Sequence, residues 1–304
     1  MASASLRALL EHSIDYAGLF PPASLALKPA LRNHAAYVRD PDAWMLGAFI
    51  LPTGQFAAAA ESLSQFDQEN PLRISALGKK TENTAAFLES LAEMRDPIRS
   101  FRDRNGGIVS INQVELPLPV DLDEETLRQA RSAVDELKLN AFLETPADAA
   151  ERTIGLLAKN NSDAGAIGFK LRTGGVTAEA FPSSGQIAKA LVAAAKNRVP
   201  IKFTAGLHHP VRRFHASVET KMHGFLNVLG GSVLAVEHQW DAEQTARMLD
   251  DEDPAAFSFD DNFFAWREWK VGTERIRKHR KLVTSLGSCS FDEPREDLRA
   301  LKLL

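Results

Sequence analysis

Short apolar stretches alternate with amphipathic stretches along the whole chain. The apolar stretches are bounded by Gly, Pro or Asp and predict strands at residues 14–20, 44–51, 72–77, 108–116, 139–144, 166–172, 200–207 and 255–260. Most of the intervening segments repeat apolar residues at intervals of three and four, which is typical of helices. Eight strands separated by helices predict one (β/α)8 barrel domain over residues 1–304, with a short N-terminal helix and a C-terminal extension.

The sixth and seventh predicted strands carry ionisable residues at alternate positions. Lys170 and Arg172 alternate with apolar residues in the sixth strand, and Lys202 and Thr204 do so in the seventh. A period of two places such residues on one face of a strand. In a parallel barrel we expect that face to line the interior, so Lys170 and Lys202 face the same pocket.

Two neighbouring lysines in a pocket predict unusual chemistry. Mutual repulsion and burial both favour the neutral amine, so both are expected to lower the lysine pKa. A lysine that is neutral near pH 7 can attack a carbonyl carbon. The alternative is that Lys170 and Lys202 bind an anion or form ion pairs with carboxylates.

Carboxylates lie in three of the other predicted strands. Asp15 is in the first strand, and Glu115 and Glu144 are near the ends of the fourth and fifth. Because active sites of such barrels lie at the C-terminal ends of the strands, we expect these groups to move protons there. Ion pairing with Lys170 or Arg172 would give the same sequence pattern. The expected pocket contains Asp15, Glu115, Glu144, Lys170, Arg172, Lys202 and His208.

Four of the eight histidines follow the seventh strand within residues 208–223. Adjacent His208 and His209 could bind a divalent metal, although strand alternation would turn one of the two rings away. Arg212, close by, favours an anionic group such as a carboxylate.

The segment Lys170-Leu171-Arg172-Thr173-Gly174, together with Lys202, resembles class I Schiff-base aldolases of the deoxyribose-phosphate aldolase type. In that family a strand-six lysine in a Lys-x-x-Thr-Gly context forms an imine, beside a strand-seven lysine. The resemblance implies an imine on Lys170 and no cofactor. The chain departs from the family at Arg172 and at Leu207-His208-His209-Pro210, which replaces a glycine-rich phosphate-binding turn and weakens the expectation of a phosphorylated substrate.

Three further segments, residues 14–22, 206–210 and 222–227, resemble a family of bacterial proteins. This second likeness is closer, and it implies no activity.

These observations favour a lyase that makes or breaks a carbon–carbon bond in a small carbonyl compound. Lys170 would form the imine, with Lys202, Asp15, Glu115 and Glu144 as the other catalytic groups. The expected substrate-binding residues are Arg172, Thr173, Thr204, His208, His209 and Arg212. Two alternatives stay open: a lyase or hydrolase that uses a divalent metal on His208 and His209, and a barrel that binds a small anion without catalysis.

Composition and sequence patterns limit the partners and the cellular location that we expect. A net charge of -4 without a basic patch predicts no nucleic-acid partner. One cysteine, Cys289, excludes an internal disulfide, and we expect it to be a small buried residue. The chain lacks a signal-peptide pattern and an apolar run of membrane length, so a cytoplasmic location without membrane contact is expected. The expected partner is a small carbonyl or carboxylate molecule, and assembly into a homo-oligomer is left open.

Overall fold

Eight parallel strands form a closed barrel in the computed structural model, which describes residues 2–161 and 167–304. Each strand pairs with its neighbours in sequence, and the first pairs with the last. The strands are β1 Ile14–Tyr16, β2 Leu46–Pro52, β3 Leu72–Leu77, β4 Val109–Pro117, β5 Asn140–Thr145, β6 Gly168–Arg172, β7 Ile201–Thr204 and β8 Val283–Ser288. The predicted (β/α)8 barrel is therefore confirmed.

Helices surround the barrel and bury its outward-facing side chains. They are α1 Ala4–Leu10, α2 Leu27–Tyr37, α3 Phe56–Ala60, α4 Thr84–Arg104, α5 Glu124–Leu137, α6 Ala150–Asn160, α7 Ser184–Asn197, α8 Phe225–His238, α9 Ala242–Asp250, α10 Thr273–His279 and α11 Asp292–Ala300. In α7 a capping box between Ser183 and Gln186 fixes the first turn, and Ile187 and Leu191 are buried. Among the described residues no helix is both long and apolar enough to cross a membrane.

The prediction of the eighth strand is wrong. Residues Phe257–Phe259 instead form a separate three-stranded antiparallel sheet with Phe263–Trp266 and Trp269–Gly272. The polar segment Val283–Ser288, which lies in the predicted C-terminal extension, is the eighth barrel strand. A search for apolar residues does not find this strand, because the barrel interior is polar. Ser285 of β8 donates a hydrogen bond to Asp15 there.

Other boundaries differ for local reasons. Strand β7 ends at Thr204 rather than at residue 207, because Ala205 and Gly206 both adopt positive φ values and turn the chain. The predicted C-terminal extension is instead β8 followed by α11. Residue 166 of the predicted sixth strand lies outside the described residues.

One buried histidine lies in the aromatic part of the core. The ring of His34 is fully buried, with its centroid 5.4 Å from that of Phe49 and 6.1 Å from those of Tyr16 and Phe66. Within the described residues neither ring nitrogen has a hydrogen-bond partner. Burial therefore lowers the pKa of His34 to about 3, so the folded protein keeps this ring neutral.

Burial of the neutral His34 ring predicts that acid destabilises the folded protein. In the unfolded chain the imidazole accepts a proton below about pH 6.5, whereas the folded protein does not. Its contribution to stability is therefore present above that pH and is lost as the pH falls, at up to about 1.4 kcal/mol per pH unit. Urea unfolding between pH 4 and 7 should show a smaller pH slope for His34→Phe, while the exposed control His238→Phe keeps the wild-type slope. Equal slopes in the two variants would contradict this assignment.

Candidate active site

A row of alternating charges fills the interior of the barrel. Lys202 Nζ lies 2.5 Å from Asp15 Oδ2 and 2.5 Å from Glu115 Oε1. Lys170 Nζ lies 2.7 Å from Glu115 Oε2 and 2.7 Å from Glu144 Oε2. Beyond it, the guanidinium of Arg172 lies 3.0 Å from Glu144 Oε1. We call this set the interior charge cluster; its order is Asp15, Lys202, Glu115, Lys170, Glu144, Arg172.

Strand register explains how these residues meet. Lys170 is aligned with Glu144 on β5 and with Lys202 on β7. Glu115 of β4 reaches both ammonium groups with its two oxygens. The prediction that Lys170 and Lys202 face one interior space is therefore confirmed, and the carboxylates at Asp15, Glu115 and Glu144 are brought to them.

The interior charge cluster holds three cationic and three anionic side chains, so its charges balance. This balance changes the pKa expected for Lys202. Burial alone would lower the pKa of Lys202, but Asp15 and Glu115 outweigh burial and raise it. The expectation that repulsion from Lys170 lowers the Lys202 pKa is therefore wrong. A carboxylate lies between the two lysines, and the sequence pattern did not show that contact.

The carboxylates are held in their charged form. Burial favours protonation of Glu115, yet Lys170 and Lys202 outweigh it and lower the pKa of Glu115 to about 2. Burial likewise opposes the charge on Glu144, and Lys170 and Arg172 overcome it, so the Glu144 pKa lies below its usual value. Both glutamates are ionised near neutral pH.

Uncharged donors complete the inner end of the cluster. Ser75 Oγ donates to Glu115 Oε1 at 2.5 Å, and Ser285 Oγ donates to Asp15 Oδ2 at 2.8 Å. Gln113 Nε2 and the Ala48 backbone N–H also donate to Asp15. Sequence reasoning missed these residues. A signal was available for two of them, because Ser75 alternates with Ile74 and Ala76, and Gln113 lies two positions before Glu115.

Exposure increases from the inner to the outer end of the cluster. The side chains of Lys202 and Glu115 are fully buried, Lys170 is 5% exposed, Glu144 13% and Arg172 49%. Arg172 is the last residue of β6, so solvent reaches the cluster from the C-terminal end of the barrel, where barrel active sites lie. The expectation that Asp15 lines the pocket at the C-terminal end is wrong, because Asp15 lines a cavity at the opposite end of the barrel.

Thr173 and Gly174 of the Lys-x-x-Thr-Gly motif pack against the following loop. Thr173 is fully buried, and its Oγ1 donates to the Ala205 carbonyl at 2.6 Å. A Cβ on Gly174 would lie 2.9 Å from Gly206 Cα, so only glycine permits this approach. We therefore assign Thr173 to loop structure rather than to substrate binding. Thr204 is partly buried at the end of β7 beside these residues.

The histidine pair faces a helix instead of the cluster. His208 Nδ1 lies 2.9 Å from Glu293 Oε2, and His209 Nδ1 lies 2.7 Å from Asp297 Oδ2. Both carboxylates belong to α11, so the expectation that one ring turns away is wrong. The histidines lie in the loop after β7, where strand alternation does not apply.

Burial opposes a charge on His208, but the contacts with Cys289 and Glu293 outweigh it and raise the His208 pKa to about 9. Cys289 is buried, as expected, with its Sγ 4.0 Å from His208 Nδ1.

The other residues expected near a substrate or metal also contact groups outside the cluster. Arg212 contacts His223 Nδ1 at 3.0 Å and Asp250 Oδ1 at 3.6 Å. In residues 2–161 and 167–304 no group of three or more His, Cys, Asp or Glu side chains is arranged to hold a metal ion. The geometry therefore gives the metal alternative at His208 and His209 no third ligand within the described chain.

The two lysines should differ in their contribution to stability. Lys202→Met removes the cation that pairs with the buried carboxylates of Asp15 and Glu115, and breaking such a buried pair costs about 3–5 kcal/mol. Lys170→Met should cost less, because Arg172 still pairs with the partly exposed Glu144. Denaturant unfolding of both variants at pH 7 measures the difference. A Lys202→Met cost no larger than that of Lys170→Met would contradict the described burial.

Comparison with known proteins gives only weak likenesses. No family model matches the chain, and no curated protein does either. Among solved structures, it is similar to a GH10 endoxylanase from a sugarcane soil metagenome, with 12% identity, TM-score 0.42, and coverage of 94% of this chain and 87% of that one. A monomeric dihydrodipicolinate synthase variant shows 14% identity and TM-score 0.40 over 82% and 81% of the two chains. Xylanase XynB from Paenibacillus barcinonensis shows 13% identity and TM-score 0.43 over 94% and 86%. At these TM-scores the likenesses carry no argument about activity.

Proposed function

We propose that the protein is a lyase that cleaves or forms a carbon–carbon bond in a small carbonyl compound through an imine on Lys170. One observation carries the proposal. The Lys170 ammonium lies between two ionised carboxylates, Glu115 and Glu144, near the solvent-facing end of a buried cluster. An amine in this place has a proton acceptor 2.7 Å away and a route to a substrate.

Lys170 suits the nucleophilic role better than Lys202 does. Lys202 is fully buried, and its contacts with Asp15 and Glu115 raise its pKa, so it keeps its charge. Lys170 contacts Glu144, whose side chain is partly exposed. The charge on Lys202 in turn holds Glu115 ionised beneath Lys170, and a fixed carboxylate there stabilises a positively charged imine.

The chemical steps use these groups alone. Lys170 gives a proton to Glu144, and the neutral amine attacks the substrate carbonyl carbon. Glu144 returns the proton to the carbinolamine oxygen and then carries a second proton to it from the nitrogen, so that the oxygen leaves as water and the protonated imine forms. Glu144 then takes a proton from a substrate hydroxyl beside the bond to be broken, and the electrons of that carbon–carbon bond move into the imine. The hydroxyl-bearing fragment leaves as a carbonyl compound, and an enamine stays on Lys170. Protonation of the enamine carbon and hydrolysis release the product and restore Lys170.

The outer end of the cluster indicates which carbonyl compounds fit. Arg172 pairs with Glu144 and keeps about half of its side chain exposed at the end of β6. A guanidinium in this place favours a substrate with a carboxylate beside the carbonyl, because it binds carboxylates through two hydrogen bonds. We therefore propose 2-oxo acids as the first substrates to test. The same exposed guanidinium also fits a barrel that binds a carboxylate without turnover.

Trapping the imine tests the proposal. The protein is incubated with borohydride and a panel of small aldehydes, ketones and 2-oxo acids, and modified peptides are identified by mass spectrometry. We expect a stable adduct on Lys170 that requires the substrate carbonyl and disappears in Lys170→Met. Modification of the exposed Lys189 on α7 measures the background.

Two results would count against the mechanism. One is labelling of Lys170 no faster than of Lys189 with every carbonyl compound tested. The other is full activity of a folded Lys170→Met protein on a substrate found by other means. Binding of a 2-oxo acid that depends on Arg172, without an adduct or turnover, would favour the non-catalytic alternative.

A further inference from the structure

A cavity lies at the N-terminal end of the barrel, opposite the exposed end of the interior charge cluster. Its volume is about 640 Å³, and its wall includes the first halves of β2, β3 and β8. The end of α1 and the residues after α10 close its sides. Neither the resemblance to aldolases nor the imine mechanism uses this space.

Positive charge predominates in the wall of this cavity. The cationic side chains are Arg73, Arg277, Arg280 and Lys281, and the carboxylates are Glu11 and Asp15. Asp15 is already neutralised by Lys202 and accepts further hydrogen bonds from Ser285 and Gln113. Arg277 pairs with Glu274 outside the cavity. Within the described residues, Arg73, Arg280 and Lys281 have no carboxylate within ion-pair distance.

Arg280 is the strongest indication of an anion-binding site. Its guanidinium donates to the backbone carbonyls of Val283 and Thr284, and to that of Glu11 at 2.9 Å. These neutral acceptors fix its position without balancing its charge. Its Nε is buried and has no hydrogen-bond partner in the described chain. Burial lowers the pKa of Arg280 to about 10, although the charges of Asp15 and Glu11 oppose this shift. Since no described carboxylate contacts the guanidinium directly, its charge is only partly balanced.

Arg73 adds a second cation to the cavity wall. It is exposed at the start of β3, and its Nη1 lies 3.4 Å from His12 Nδ1, a neutral or cationic neighbour rather than a counterion. Two arginines on separate elements, β3 and the segment between α10 and β8, can bind two anionic groups, or two oxygens of one group, from different sides.

We propose that this cavity binds a small multivalent anion that carries phosphate or carboxylate groups. Arg280 and Arg73 supply the main contacts, and Lys281 adds positive charge at the rim. The site is independent of the imine mechanism, because it opens at the other end of the barrel. Asp15 is the only residue of the interior charge cluster that lines it.

Calorimetric titration of the whole protein tests the site, with inorganic phosphate and citrate as separate probes at constant ionic strength. Arg280 caps backbone carbonyls, so its replacement would disturb folding; the variant is Arg73→Gln with Lys281→Gln. The control is Lys80→Gln with Lys278→Gln, which removes the same charge from exposed positions outside the cavity wall. We expect the cavity variant to bind at least about tenfold more weakly and the control to bind as the wild type does, because charge-assisted hydrogen bonds are lost only in the first.

Each outcome decides the proposal. Binding of phosphate, of citrate or of both, weakened only in the cavity variant, supports it and identifies the anionic group. Equal weakening in both variants would mean that overall charge, not this cavity, attracts the anion. No binding of either probe up to about 10 mM, where even millimolar affinity is measurable, would also overturn it.

Discussion

Glu115 is the residue on which the interior of this barrel depends. Two lysines project from adjacent strands into a space without bulk water, where repulsion between two ammonium groups would be strong. Glu115 separates them by giving one oxygen to each, and Asp15 and Glu144 supply the remaining counter-charges. The result is a neutral row of ion pairs in place of an apolar barrel core.

This constraint accounts for several features of the surrounding strands. Serines at β3 and β8 face inward because the inner carboxylates need donors, which makes β8 a polar strand. Where the interior is not charged, it is tightly filled: a Cβ at Gly168 would lie 2.6 Å from the ring of Phe142. Solvent exposure also increases along the row, since its inner members are buried while Arg172 is half exposed. Chemistry that needs both a fixed charge and an accessible amine is therefore expected at Lys170.

The sequence predicted the barrel and the main members of the cluster, because both follow from strand alternation. Lys170 and Lys202 occur at inward positions, and the ends of β4 and β5 carry their carboxylates. Strand β8 was not predicted, since its polar residues are explained only by partners distant in sequence, such as Asp15. The raised pKa of Lys202 was missed for a similar reason: it depends on a contact across the barrel. The contacts of His208 and His209 depend on where α11 packs, which no local pattern indicates.

The measurement that tests this account most directly is the free energy of unfolding of Glu115→Gln at neutral pH. This nearly isosteric change removes the charge between the two lysines and leaves Asp15 and Glu144 in place. If Glu115 holds the interior together, stability should fall by about 3–5 kcal/mol, as for other broken buried pairs, while Glu11→Gln at an exposed position changes little. A Glu115→Gln protein as stable as the wild type would contradict the central role given to this residue.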